Sequence, residues 1–284
     1  NNLGDMFLLL DIAQLYNPQH PSRGLALAWE LKKQGISYIH VYGSSYPATR
    51  AIVASFLLGI PFSLSTYVDF DYAYEFKMLP SKTELARFVV ATTRFCVDRI
   101  RSYTSEQVSR KVHVIHLGID QDYGRAYVKD EELEKKPPCI IAVGRLVEKK
   151  GFDYLVKACV RLKARGLTHR CIIVGDGPEK ERLHTMITVL GVQDMVELLD
   201  PIPNDQLVQL MKPQNILVAP SVYAKDGERD GIPTVLLEAM IRGVPVVSTN
   251  VSGIPELITD GDNGLLVPER DEYALSLIHI SEPT

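Results

Sequence analysis

The sequence predicts an α/β protein built from two doubly wound domains with parallel sheets, and three observations carry that prediction. Short β-branched apolar runs recur along the whole chain, amphipathic stretches of helical period separate them, and one charged, proline-ended segment divides the series. Apolar runs that are nearly continuous suit strands buried on both faces of a parallel sheet. Strand–helix alternation is the pattern of α/β folds.

In chain order, the strand-like runs of the first half are residues 36–42, 62–67, 88–92 and 112–116. Residues 129–138 (KDEELEKKPP) form the composition break and read as a linker. The second half continues with runs at 139–143, 171–175, 196–199, 216–219, 244–249 and 264–267, and with helical patterns at 151–165, 178–190 and 234–242. The expected organisation is a first domain over 1–128, the linker 129–138, and a second domain over 139–275. Four strands are fewer than the five or six common in such sheets, so the first domain is expected to be incomplete at its amino end. Residues 276–284 (SLIHISEPT) lack a helix period, resemble translated sequencing-adapter sequence and are expected to be foreign to the fold.

A chain of 284 residues, 46% hydrophobic and 23% charged, has ordinary globular composition, which excludes disordered, collagenous and coiled-coil classes. The net charge of −4 divides into +1 up to Lys136 and −5 beyond it, so no basic excess points to nucleic acid. Cys96, Cys139, Cys159 and Cys171 are scattered without a C-x-x-C pair, as reduced thiols would be. No apolar run approaches the ~20 residues of a membrane helix, and no signal peptide is visible. These features point to the cytoplasm. The inner face of the plasma membrane is left as an open contact through Arg87, Arg94, Arg99 and Arg101, for which a solvated helix is the simpler reading.

In an open parallel sheet, ligands bind beyond the carboxyl ends of the strands. Gly144, Arg145 and then Lys150 follow the run 139–143 and flank the start of a helix, where cations and free N–H groups suit a diphosphate. Gly175, Gly177 and Pro178 follow the next strand; the glycines let a backbone approach a ligand, and Pro178 suits a first helical position. No G-x-G-x-x-G fingerprint accompanies them, which disfavours a dinucleotide oxidoreductase. After the run 216–219 come Ser221 and then Asp230, Gly231, Ile232 and Pro233. If Pro233 starts a helix, the N–H groups of Thr234, Val235 and Leu236 face outward as a second anion cradle. Asp230 and Glu238 would repel a phosphate, so they are read as acceptors for sugar hydroxyls. The segment 260–264 (DGDNG) fails the calcium-loop pattern and reads as a tight turn. No histidine spacing suggests a metal.

Residues 142–156 (AVGRLVEKKGFDYLV), 173–178 (IVGDGP), 219–221 (APS), 230–240 (DGIPTVLLEAM) and 253–267 (GIPELITDGDNGLLV) stand in the order and spacing of one known domain. Over nearly all of 139–275 the chain resembles the donor-binding domain of the retaining GT-B glycosyltransferases called group 1, or family 4. Their bacterial exopolysaccharide and capsule branch, including the colanic acid type, is the most similar in flavour. Residues 59–65 (GIPFSLS), 86–92 (ARFVVAT) and 112–120 (VHVIHLGID) are similar, more loosely, to the family's acceptor domain.

The resemblance implies two Rossmann-like domains and sugar transfer from a UDP- or GDP-sugar to a glycan or lipid-linked acceptor, with no cofactor and no metal. It implies Arg145 and Lys150 on the donor diphosphate, Glu238 on the ribose, and Asp230 at the first acidic position of an E-x7-E motif, against the transferred sugar. Amides around Ile232–Leu236 would contact phosphate and sugar, and the base would rest near 175–178 and the loop after Leu199. Asp230 stands where the family usually has Glu, Asp200 where it often has Gly, and Tyr67 where many members have an acceptor-side His. The glycine-rich loop near the family's amino terminus and its C-terminal crossing helices have no counterpart here. The competing reading is a non-catalytic nucleotide-binding module or an inactive fragment of such an enzyme.

Overall fold

A computed structural model describes residues 19–44, 46–66, 79–120, 139–167 and 169–277. The chain divides into two compact units, Asn1–His116 and Leu117–Thr284. The linker segment 129–138, Tyr67 and residues 278–284 lie outside the described residues.

The first unit holds a four-stranded parallel sheet in the order β1-β2-β3-β4, from β1 (Ile39–Tyr42), β2 (Phe62–Thr66), β3 (Val89–Ala91) and β4 (Val112–Val114). Helices α1 (Gln19–Lys33), α2 (Tyr46–Leu58), α3 (Leu79–Leu85), α4 (Arg94–Arg101) and α5 (Glu106–Ser109) alternate with them. The core gathers Val41, Leu64, Val89, Val112, Ile52 and Ile100. Strands β1, β3 and β4 are shorter than their apolar runs. Ile36 and Tyr38 stay exposed ahead of β1, and Thr93, just past β3, leaves the ladder because its side chain caps α4 by accepting from Cys96 N.

The second unit is a six-stranded parallel sheet in the order β10-β9-β8-β5-β6-β7. Its strands are β5 (Cys139–Val143), β6 (Arg170–Val174), β7 (Val196–Leu199), β8 (Ile216–Ala219), β9 (Val246–Thr249) and β10 (Leu265–Val267). Helices α6 (Phe152–Ala164), α7 (Lys180–Val189), α8 (Asn204–Leu210), α9 (Thr234–Met240) and α10 (Glu272–Ser276) connect or follow them. The chain reverses direction across the sheet between β5 and β8, which creates the switch point where open sheets bind ligands. Residues such as Ile141 and Leu217, at 0% exposure, show why these strands read as unbroken apolar runs.

Some boundaries differ from expectation for physical reasons. Pro245 has no N–H to give the ladder, so β9 starts at Val246. Pro178 does not open a helix: α7 begins at Lys180, after a turn in which Glu179 N donates to Leu146 O. The side chain of Asp271 caps α10 by accepting from Ala274 N at 2.8 Å. Ser276, the first residue of the segment read as foreign, closes this helix, and its carbonyl accepts from Arg165 at 3.3 Å. Cys159 of α6 and Cys171 of β6 are buried neighbours; hydrogen bonding to Cys159, then burial, holds the Cys171 thiol well above its ordinary range. Among the described residues no helix is long and apolar enough to cross a membrane.

Candidate active site

The loops that follow β5, β6 and β8 are locked together by main-chain contacts. Leu146, in the β5 loop, is fully buried, and its N–H donates to Asp176 O at 2.8 Å; burying that side chain contributes about 2 kcal/mol. Gly175 N donates to Leu199 O at 3.0 Å, so the β6 loop leans on the end of β7. A Cβ on Gly175 would stand 1.9 Å from Gly144 O. The glycine thus admits a neighbouring backbone, and Gly177 likewise lies against Leu146. Gly151 does the same toward the β8 loop. Its φ is 63°, and a Cβ there would lie 2.0 Å from Pro220 O. Val222 N donates to Lys149 O at 2.9 Å and completes the junction of the β5 and β8 loops.

That junction brings charge together. Lys150 Nζ lies 2.8 Å from Asp230 Oδ2, Lys149 Nζ lies 3.9 Å from Asp230 Oδ1, and Ser221 Oγ donates to Asp230 Oδ2 at 2.9 Å. The Asp230 side chain is only 8% exposed and that of Lys150 20% exposed, so the pair is sheltered from the screening that weakens surface ion pairs. Glu228 stands 3.7 Å from Lys149 on the outer side of the cluster. Ser221 is itself fixed, because Thr249 Oγ1 donates to its carbonyl. The loop carrying Asp230 is anchored at Tyr223, whose N–H donates to Glu269 Oε2 at 2.9 Å and whose carbonyl accepts from Arg270.

The remaining residues singled out in the sequence sit around this cluster. Arg145 is exposed, and its side chain makes no ion pair or hydrogen bond among the described residues. Gly231 and Ile232 lead into Pro233, which is the N-cap of α9 and not its first residue. Leu236 N donates to Pro233 O at 3.0 Å, so the expected cradle of three free amides reduces to Thr234 and Val235. Glu238, inside α9, stands in a half-buried position. Burial pushes its carboxyl above its ordinary 4.5, and a hydrogen bond to Thr234 and the charge of Arg242 pull it partly back. Pro178 is exposed, and Asp200 pairs with Lys180.

Lys149, Glu228 and Glu269 escaped the sequence reading. The Lys149–Lys150 doublet was the visible signal for the first, while nothing local marks the other two. Residues 260–264 form the expected turn, with Asp260 Oδ1 accepting from Leu266 N at 2.8 Å. Of the four arginines weighed for a membrane face, Arg87 lies in the turn before β3, and Arg94, Arg99 and Arg101 lie on α4, where Arg94 and Arg101 are exposed and Arg101 reaches Val112 O at 3.4 Å.

A family model described as Glycosyl transferases group 1 matches residues 125–280. WcaL of Salmonella typhimurium, named for colanic acid biosynthesis as a glycosyltransferase, is 39% identical over 166 residues, which is 58% of this chain and 40% of the relative. AmsK of Erwinia amylovora, an amylovoran biosynthesis glycosyltransferase, is 36% identical over 170 residues, 60% of this chain and 41% of its own length. The chain thus spans about two fifths of the length of these curated relatives. The crystal structure of Anabaena Alr3699/HepE in complex with UDP has a TM-score of 0.71 at 22% identity, covering 89% of this chain and 71% of that one. The HepE complex with UDP-glucose has a TM-score of 0.70 at 21% identity, over 90% and 70% of the two chains. These likenesses place the architecture in the GT-B class. The family match takes in more than half of the sequence, including every loop that builds the Lys150–Asp230 cluster, and the chain belongs to the glycosyl transferases group 1 family.

Proposed function

We propose that the chain carries the donor site of a retaining glycosyltransferase, which moves a hexose from a UDP- or GDP-sugar to a glycan or lipid-linked acceptor in exopolysaccharide synthesis. The domain boundaries of this reading are those of the sequence, with 139–275 as the donor domain, and it places the enzyme on the cytoplasmic side of the plasma membrane. The observation that carries it is the cluster of two lysines and one buried carboxylate at the carboxyl ends of β5 and β8. The names of WcaL and AmsK support the polysaccharide setting, and the HepE complexes support the nucleotide sugar.

In this reading Lys150 and the uncommitted Arg145 face the diphosphate, helped by the amides of Thr234 and Val235. Asp230 and Glu238 accept hydrogen bonds from hydroxyls of the sugar and the ribose. As the bond from the anomeric carbon to the diphosphate oxygen breaks, charge gathers on the departing phosphate. Cations already held in place stabilise that charge without reorganising. The acceptor hydroxyl attacks the face that the diphosphate leaves, and its proton passes to the departing phosphate oxygen. The configuration is therefore kept and no protein base is needed. Side chains and amides supply the neutralising charge, so the proposed reaction is independent of metal.

Calorimetric titration of the chain with UDP and GDP tests the reading. Binding of one of them is expected at micromolar to millimolar dissociation constants. Lys150→Ala should weaken it about tenfold or more, the worth of one charge-assisted contact. A folded chain that binds neither nucleotide would sink the proposal. Binding of UDP without release or transfer of sugar from UDP-glucose would identify a non-catalytic nucleotide-binding module instead.

A further inference from the structure

Asp230 is bonded to the very lysine that the diphosphate needs. Its Oδ2 takes Lys150 Nζ at 2.8 Å and the Ser221 hydroxyl at 2.9 Å, and its Oδ1 faces Lys149 Nζ at 3.9 Å. The carboxylate has no easy retreat. Its side chain is 8% exposed, Ser221 holds one oxygen, and Ser221 is itself fixed by Thr249 through its carbonyl. A diphosphate reaching Lys150 therefore comes close to a fixed negative charge, in a setting where Coulomb terms are weakly screened.

We infer that Asp230 is a built-in competitor for Lys150, which lowers the affinity of the site for a bare diphosphate relative to an intact donor. The inference rests on the donor-site reading above. While the sugar is attached, its hydroxyls can donate to the carboxylate and offset the repulsion. Once the sugar has left, nothing offsets it, and the same charge weakens the grip on the nucleoside diphosphate product. Ser221 and Lys149 act as positioning residues, because they hold the carboxylate where it competes. Glu228, 3.7 Å from Lys149, draws part of that second cation away from Asp230.

Inorganic pyrophosphate is the probe, titrated calorimetrically into the full chain, with melting by circular dichroism as the check on folding. Asp230→Asn is expected to tighten pyrophosphate and UDP about tenfold, since the two lysines lose their internal counter-ion. Glu228 is partly exposed, so Glu228→Gln is safe for folding, and it should tighten pyrophosphate about twofold by releasing Lys149 toward Asp230. Asp194→Asn makes the same charge change at the amino end of β7, beside Lys163, and should leave pyrophosphate binding unchanged. Unchanged or weaker binding in Asp230→Asn overturns the inference, as does equal tightening in Asp194→Asn, which would mark a bulk charge effect. If Asp230→Asn fails to fold, Glu228→Gln decides alone: tightening supports competition and its absence overturns it. Should the wild-type chain bind pyrophosphate in the expected order of variants yet bind neither UDP nor GDP, the nucleotide reading fails and the competition stands.

Discussion

The sheets of the two units obey the same rule of parallel strands with helical crossovers, but they treat the ends of their strands differently. In the second unit the loops after β5, β6 and β8 are tied to one another through main-chain atoms: Leu146 N to Asp176 O, Gly175 N to Leu199 O, Val222 N to Lys149 O. In the first unit side chains join in the tying. His40 on β1 holds two serines of β2, with Nδ1 2.7 Å from Ser63 Oγ and Nε2 3.0 Å from Ser65 Oγ, and the buried Lys82 of α3 donates to Ser44 O beyond β1. A frame of backbone contacts fixes geometry whatever side chains it carries, whereas side-chain ties change with each substitution. The backbone frame suits a site whose geometry must stay constant.

Breaking the backbone frame should have the largest effect. Gly175→Ala drives a methyl group into Gly144 O, and neither main chain can yield without opening the stack. Urea unfolding should report a loss of about 3 kcal/mol or more. Gly59→Ala in the first unit is the matched control: its φ is 65° but nothing lies within 4 Å of the added atom, so only the left-handed backbone is strained, at about 1 kcal/mol. Equal losses at the two positions would remove the contrast between the units. Next in size is His40→Ala, which leaves the buried Ser63 and Ser65 hydroxyls short of a partner and should cost about 1–2 kcal/mol in the same measurement. UDP affinity should not move; a change there would tie the first unit to donor binding.

Glu238→Gln should have the smallest effect on stability. The Glu238 carboxyl is raised in the fold, chiefly by burial, so ionisation is penalised there relative to the unfolded chain. That penalty is absent below the unfolded value of 4.5 and present once the pH passes above the folded one. The variant should therefore melt slightly higher at neutral pH, a small gain because the position is half-exposed. The gain should vanish near pH 4. A gain that persists at acid pH would point to packing and away from charge.

The sequence announced the second sheet more sharply than the first because turn-forming residues close its runs directly, as Gly144, Asp200 and Pro220 do. The spans 139–143, 196–199 and 216–219 match β5, β7 and β8 to the residue. In the first unit, runs such as 36–42 overshoot, because apolar side chains such as Ile36 and Tyr38 stand exposed ahead of the first paired residue, Ile39. The site was legible as a set of positions after strand ends, which is where topology puts ligands. Its internal contacts were not. That Gly175 meets Gly144, that Lys150 meets Asp230 across 80 positions, or that Leu236 turns its N–H back to Pro233 depends on loops packing in three dimensions, and no local period encodes it.

The two glycine contacts, Gly151 on Pro220 and Gly175 on Gly144, also bear on how such a protein can diversify. Where scaffold and specificity are written in different atoms, they can be altered separately. The main chain holds Lys149 and Lys150 in register with the β8 loop, and the side chains around them can be exchanged one at a time without dismantling that register. A sequence change that alters what the site accepts then need not pass through an unfolded ancestor, provided those two glycines stay.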